Sequence, residues 1–361
     1  MKTVRVTSRE DAKRAMREQC ERYPGLSVTD LFKFIYQSSF GCEHLVSDVA
    51  SVKAYLCKEA ETACPATGAL IEPLDGDYCR VHLDYLKEGL CADTFAKLFV
   101  LSAEHVEDGK ERFGEKLSAL SELAENGELP FAGQEVAEAL EKWSKEGYPA
   151  CHHSESFRTE YAPAYRLMKK EYARFLPVFA KIDRMLTMGE VTLAIEGGSG
   201  SGKSTFAELL CRVYEDCTVF HMDDFFLRLE QRTPERFAEP GGNVDRERFL
   251  AEVLLPLSKK DTIVYRKFDC GTFTVLPPEE KNPSGLNVIE GAYSMHPELR
   301  QYYSLSVFLD ISPDLQKARI TKRNSPELAK RFFSEWIPME QRYFDFMKVK
   351  ETCDIIIPIN D

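Results

Sequence analysis

The chain has 361 residues, too many for one ordinary domain and enough for two. Apolar residues make up 43%, ample for buried cores, and 59 acidic against 47 basic side chains leave a net charge of −12. That balance argues against a surface that coats nucleic acid, while leaving room for a local basic groove. Met1-Lys2-Thr3-Val4-Arg5 runs into charged residues rather than an apolar leader, and no apolar run reaches membrane-spanning length. The expectation is a cytoplasmic protein whose eleven cysteines are reduced thiols, mostly small buried hydrophobes.

Residues 1–186 read as a mostly helical domain. Ser27-Val28-Thr29-Asp30 looks like a helix start, followed by Leu31, Phe34 and Ile35 at helical spacing. Val49, Val52 and Leu56 continue a second helix, and Pro65, Gly68, Pro73 and Gly76 then mark a loop. Cys79, Val81 and Leu83 alternate with Tyr78, Arg80 and His82, which predicts a short strand with one polar face. Phe95, Leu98 and Phe99 predict another helix, as do Phe113, Leu117 and Leu120, and then Val136, Leu140 and Trp143. The last element is expected to be a helix from about Pro163 through Tyr165, Met168, Tyr172 and Phe175, kinked or restarted at Pro177. Met185 to Glu190 is the expected junction to a second domain, 187–361.

Gly41-Cys42-Glu43-His44 and Cys151-His152-His153-Ser154-Glu155 concentrate metal-capable residues, and Arg80, His82, Arg158 and Glu160 could join them on a polar face. There is neither a C-x-x-C pair nor an H-E-x-x-H, so the spacing fits no zinc pattern. Helix caps and satisfied polar contacts are one reading of this cluster. A second ligand or metal site around Glu43, His44, His152 and His153 is the other.

Gly197-Gly198-Ser199-Gly200-Ser201-Gly202-Lys203-Ser204-Thr205 is a full G-x-x-x-x-G-K-S phosphate loop. It follows an apolar strand-like run, Val191–Ile195, and precedes Phe206, Leu209, Leu210 and Val213 at helical spacing. Glycines let successive backbone N–H groups converge on phosphate oxygens, and the helix start adds its dipole. Lys203 supplies a charge for the outer phosphates, and the Ser204 hydroxyl is suited to Mg²⁺. The motif implies a nucleoside triphosphate but not which reaction.

From Val191 onward strands and helices alternate, the pattern of a parallel sheet. Candidate strands are Val191–Ile195, Thr218–His221, Asn287–Glu290, Ser306–Asp310 and Asp354–Pro358. Helices are expected at Phe249–Leu254 and from Pro313 to about Arg323. Asp223 follows the second strand and Glu290 ends the third, where ligands collect in such sheets. Either carboxylate could accept a proton or help hold Mg²⁺. Arg319-Ile320-Thr321-Lys322-Arg323, with Lys330 and Arg331 after it, could form a lid over a transferring phosphate or a solvated helix face.

These residues carry a resemblance. The part from about 190 to 361 resembles the uridine kinase and nicotinamide riboside kinase group of P-loop small-molecule kinases. The shared features are the loop, Asp223-Asp224-Phe225-Phe226, Ile289-Glu290-Gly291, Arg319 and Arg323, and Trp336-Ile337-Pro338-Met339 with Tyr343. Asn243-Val244-Asp245 and Phe268-Asp269 fall where uridine kinases carry an Asn-x-Asp turn and a Tyr-Asp pair. The resemblance implies an α/β P-loop kinase domain with a parallel five-stranded sheet in 2-3-1-4-5 order, behind the helical first domain. It implies Asp223 as general base and Ser204, Asp223 and Glu290 near Mg²⁺. Arg319 and Arg323 would reach the phosphates, and Asp269 the acceptor's hydroxyls. Phe268 replaces the family tyrosine, Cys270-Gly271-Thr272-Phe273 lacks the His and Arg that follow it in uridine kinases, and Asn324 replaces an Asp after the lid arginine. The kinase mechanism carries over, and the nucleoside specificity does not.

The expected function is ATP- and Mg²⁺-dependent phosphorylation of a hydroxyl on a small metabolite, a nucleoside or nucleoside-like compound first. Three alternatives remain: a non-nucleoside alcohol as acceptor, a nucleotide-sensing module that controls the N-terminal domain, and a bifunctional enzyme with separate chemistry near His44 and His153. No membrane or nucleic-acid partner is expected, and the sequence leaves the oligomeric state open.

Overall fold

The computed structural model describes residues 8–42, 48–66, 68–103 and 108–360. The chain divides into two compact units, Met1–Ala180 and Lys181–Asp361.

In the first unit the helical expectations are met at Val28–Phe40, Val49–Thr62, Ala92–Ser102, Gly109–Glu125 and Gly133–Lys145. Ser27 caps the first of these reciprocally with Asp30. Phe34, Ile35, Leu120 and Leu123 are buried in one core, where Phe32 stacks on Trp143 with ring centroids 4.5 Å apart. Three strands, β1 (Ile71–Pro73), β2 (Tyr78–His82) and β3 (Tyr165–Lys169), form an antiparallel sheet in that order. Three sequence expectations are corrected here. β1 lies inside the stretch expected to be loop. β2 has no polar face, because it is the central strand, and Arg80 is buried with its guanidinium donating to Glu72 and Gln37. β3 replaces the first half of an expected helix, since its pairing with β2 overrides a spacing that also suits a helix. Helices occupy only Lys170–Ala173 and Leu176–Leu186 of that stretch.

The second unit contains β4 (Val191–Gly197), β5 (Cys217–His221), β6 (Ile263–Asp269), β7 (Thr274–Lys281), β8 (Leu286–Glu290), β9 (Leu305–Ile311) and β10 (Ile355–Ile359). Five of them form a parallel sheet ordered β10-β9-β4-β8-β5, which is 2-3-1-4-5 when counted along the chain. β4 is central, hence its largely apolar run: Val191, Leu193, Ala194 and Ile195 are all fully buried. The parallel strands deliver Gly197, His221 and Glu290 to one end of the sheet, where α/β folds bind ligands. β6 and β7 make a separate antiparallel hairpin that the sequence pattern does not announce.

The cysteines depart from expectation. All are free thiols, but only Cys42 and Cys79 are buried, while Cys57, Cys64, Cys91, Cys211 and Cys270 are exposed. No helix among the described residues is long and apolar enough to cross a membrane.

We propose that the second unit folds alone. Asp183 accepts a hydrogen bond from the Tyr214 hydroxyl at 2.8 Å, so a fragment should begin at Lys181 rather than at Thr187. The expected outcome is a cooperative urea transition with native-like circular dichroism. A fragment with no cooperative transition would refute independent folding.

Candidate active site

The phosphate loop takes its shape from its neighbours. At Gly197 φ is +146°, and a Cβ there would lie 2.7 Å from the Leu309 carbonyl oxygen, so only glycine fits. Gly202, at φ +98°, opens the helix Lys203–Val213, and no side chain caps that helix. Its first N–H groups are thus available to an anion. Lys203 curls back, its Nζ donating to the carbonyls of Gly197 at 2.8 Å and Gly198 at 3.1 Å.

Two later helices grip the loop at Ser199. Glu340, in Ile337–Met347, accepts from the Ser199 N–H at 2.8 Å and hydroxyl at 2.5 Å. Gln316, in Pro313–Arg323, donates to the Ser199 carbonyl at 2.9 Å, and one turn later Arg319 donates to the Gly200 carbonyl at 3.1 Å. Burial pushes the Glu340 carboxyl pKa up, against the pull of Lys203 and the Ser199 bonds. Beneath the loop, Glu196 is fully buried. It accepts from the N–H groups of Gly197 and Met295 and from the Tyr343 hydroxyl. Burial pushes its pKa up to about 7.

Acidic groups line the cleft beside Lys203. Glu290 Oε1 accepts from the Ser204 hydroxyl at 3.1 Å and contacts His221 Nδ1 at 2.5 Å. That bond to Glu290 raises the His221 pKa above its ordinary value. Asp223 stays open to solvent, yet the protein atoms crowded around its carboxylate push its pKa up, and Glu290 adds to this while Lys203, His221 and Arg323 oppose it. Asp224 is turned elsewhere. Its environment is His221 with Lys267, Glu279 and Lys281 of the hairpin, and its Oδ2 is buried without a hydrogen-bond partner.

The remaining expected residues divide. Arg319 sits on the loop, whereas Arg323 is exposed, 5.7 Å from the Phe332 ring centroid. Asp269 ends β6 and spends both carboxylate oxygens on its own turn, accepting from the Gly271 N–H and the Thr272 hydroxyl, each at 2.8 Å. Glu196, His221, Gln316 and Glu340 were invisible to motif reading. Glu196 directly precedes the loop and His221 ends the predicted strand before Asp223, the signals that could have marked them, and nothing in the spacing marks Gln316 or Glu340.

In the first unit, His153 lies between Asp30 at 2.9 Å and the Tyr165 hydroxyl at 2.7 Å, His152 is exposed, and Ser154 caps Glu155–Tyr161. Glu43 and His44 lie outside the described residues. Among the described residues no three His, Cys, Asp or Glu side chains gather as for a metal ion.

Ser204, Glu290 and Asp223 nevertheless suit Mg²⁺, which takes few protein oxygens and completes its shell with phosphate oxygens and water. Glu290 already lies against Ser204, so hydroxyl and carboxylate are within reach of one ion.

The sheet order and the loop together define a P-loop α/β domain. No protein-family model matches the chain. The C-terminal half is similar to uridine kinases. "Uridine kinase-like protein 3" of Arabidopsis thaliana is 26% identical over 183 residues, covering 46% of this chain and 38% of that protein. The chain thus spans well under half the length of that plant relative. A uridine kinase of Clostridium perfringens is 24% identical over 184 residues, covering 46% of this chain and 86% of its own. A solved chain described as a possible uridine kinase from Bacillus stearothermophilus is 21% identical over 50% of this chain and 98% of its own, with a TM-score of 0.37.

Glu196 gives a pH signature. Its pKa rises from an ordinary 4.5 to about 7 on folding, so the folded state holds the proton longer and stability falls as pH rises between those values. Between pH 5 and pH 8 this group should cost about 2–3 kcal/mol. Glu196→Gln should remove that slope, whatever it costs at a single pH. Urea unfolding of both proteins at the two pH values measures it, and parallel slopes would contradict the assignment.

Proposed function

We propose that the chain is a small-molecule kinase that moves the γ-phosphoryl group of ATP, with Mg²⁺, onto a hydroxyl of a metabolite. The observation that carries this reading is the convergence of Lys203, the Ser204–Glu290 contact and Asp223 at one end of the parallel sheet. Phosphoryl transfer needs little covalent help from protein, so positioning and charge neutralisation dominate. Within the loop 197–205, the N–H groups not already bonded to Glu196, Glu340 or the Gly198 carbonyl would hold the phosphates together with Lys203, and Arg319 and Arg323 would screen them from the lid. Mg²⁺, held by Ser204 with Glu290 and Asp223, would supply further charge neutralisation. Asp223 would take the acceptor's proton, since it feels Lys203 and Arg323, whereas Asp224 faces the hairpin. A carboxylate with a raised pKa is the better base near neutrality.

The finer reading makes the acceptor a nucleoside or nucleoside-like compound, as the relatives' names suggest, with Asp223, Asp269 and Glu290 lining its place. One observation favours a different alcohol. The hairpin turn offers Phe268 and Phe273 with the Arg232 guanidinium 5.6 and 5.0 Å from their ring centroids, and no histidine. Adenosine diphosphate release measured across a panel of nucleosides, sugars, hydroxy acids and vitamin alcohols separates the two. ATP binding with no acceptor-dependent release would point to a nucleotide sensor instead.

Lys203→Ala should lower kcat by roughly 10²-fold or more while the fold survives. Asp223→Asn keeps size and cannot take the proton, so transfer should fall by roughly 10²- to 10⁴-fold with ATP affinity little changed. Asp224→Asn should be milder. Full activity in the Asp223 variant would remove the base from this reading, and a lost activity confined to the Asp224 variant would move it by one residue.

A further inference from the structure

Away from the cleft, Cys211 in the last turns of the helix Lys203–Val213 meets Cys217, the first residue of β5. Their sulfurs lie 2.8 Å apart as free thiols. A covalent bond needs roughly 2.05 Å, so closure takes less than an ångström of movement. The turn between them is anchored on both sides. Tyr214 donates from its N–H to the Leu210 carbonyl at 2.8 Å and from its hydroxyl to Asp183 at 2.8 Å. Asp216 accepts from the Gly285 N–H at 2.6 Å through its side chain and from the Leu286 N–H at 3.0 Å through its carbonyl. The two sulfurs are therefore held together by the fold itself. A structural metal would need about four ligands, and among the described residues no third His, Cys, Asp or Glu joins this pair.

We propose that Cys211 and Cys217 are a redox-active dithiol that reacts with small disulfides and closes a reversible bond between the phosphate-loop helix and β5. This does not depend on the kinase reading. The roles of the two thiols differ. Cys211 is exposed and Cys217 half-buried. The hydrogen bond with Cys217 pulls the Cys211 pKa down to about 7, with Lys281 and His221 assisting, and the same bond pushes Cys217 up. Lys281 is fixed nearby, its Nζ donating to the Val219 carbonyl at 2.7 Å. Cys211 is thus the attacking thiolate. It displaces one thiolate from a disulfide RSSR and forms the mixed disulfide Cys211–S–SR. Cys217 then attacks the Cys211 sulfur, expels the second thiolate and gives up its proton to the released thiolates. The two protein thiols lose two electrons, and RSSR gains them as two RSH.

The test uses the full-length reduced chain in glutathione buffers of rising oxidised share, quenched by alkylation and digested with trypsin without reduction. Cleavage after Lys203, Arg212 and Arg228 places the two cysteines on separate peptides, 204–212 and 213–228, so their disulfide appears as a linked pair. The linked pair should form at an oxidant share roughly tenfold or more below that which modifies exposed Cys57, Cys64, Cys91 or Cys270. Cys217→Ser should trap glutathione on Cys211, and Cys211→Ser should leave Cys217 unmodified under the same conditions. Glutathione on the four other exposed cysteines while Cys211 and Cys217 remain reduced would overturn the proposal. So would a glutathione adduct on Cys211 in the unaltered chain that Cys217 never resolves.

Discussion

One carbonyl constrains the whole phosphate-loop end of the second unit. The Leu309 oxygen of β9 occupies the space a Cβ on Gly197 would need, because β4 is clamped between β8 and β9. The chain must leave the sheet there through a glycine, and that exit turns the Gly197 N–H inward onto the buried Glu196 carboxylate. Beyond it, the Ser199 N–H is taken by Glu340 and the Ser201 N–H by the Gly198 carbonyl, while no side chain caps the helix that starts at Lys203. Lys203 closes the ring onto the carbonyls of Gly197 and Gly198. Under the proposed function an incoming phosphate would have to win the lysine from two carbonyls, a modest exchange because a phosphate oxygen is the better acceptor for an ammonium.

Lys203 is also the cation that Glu196, Asp223 and Glu340 all feel. Carboxylates so arranged raise one another's pKa values: Glu290 acts on Asp223, and Asp223 acts on Glu340. Their grouping disfavours a bare polyanion. Under the proposed function it would favour an anion that arrives with a cation, since Glu290 and Asp223 would neutralise the cation while Lys203 and Arg319 met the phosphates.

The parallel sheet was legible because each of its strands is an apolar run next to a breaker or charged turn, and β4 carries the loop motif directly. Asp223, Lys203, Ser204 and Glu290 were legible for the same reason, since strand ends fix where their side chains collect. β6 and β7 were not, because β7 contains Pro277 and Pro278 with Glu279 and Glu280 and is largely exposed, so it lacks the apolar alternation that announces a strand. Glu340 lies 141 residues from its partner Ser199, and no local rule links the two. In the first unit, β3 was read as a helix because Tyr165, Met168 and Tyr172 suit helical spacing. The decisive information lay in β2, its partner, which the local pattern does not contain.

His153 of the first unit is accounted for in the same way. Asp30 accepts from the Ser27 N–H and hydroxyl, the Ser154 N–H and hydroxyl, and His153 Nδ1. Burial would raise the Asp30 pKa, but these bonds hold it well below the usual carboxylate range. Burial pushes the His153 pKa down to about 4, so the ring is neutral near pH 7. Both its nitrogens are engaged, and its face stacks on Phe157 with centroids 4.2 Å apart. Through this node one carboxylate caps the helix Val28–Phe40, holds the residue that caps Glu155–Tyr161, and reaches β3 through the Tyr165 hydroxyl. A ligand at His153 would have to break bonds to Asp30 or Tyr165 that are already made in a site with little solvent. The node is accordingly a structural pin, with Ser154 and Glu155 beside it at a helix start.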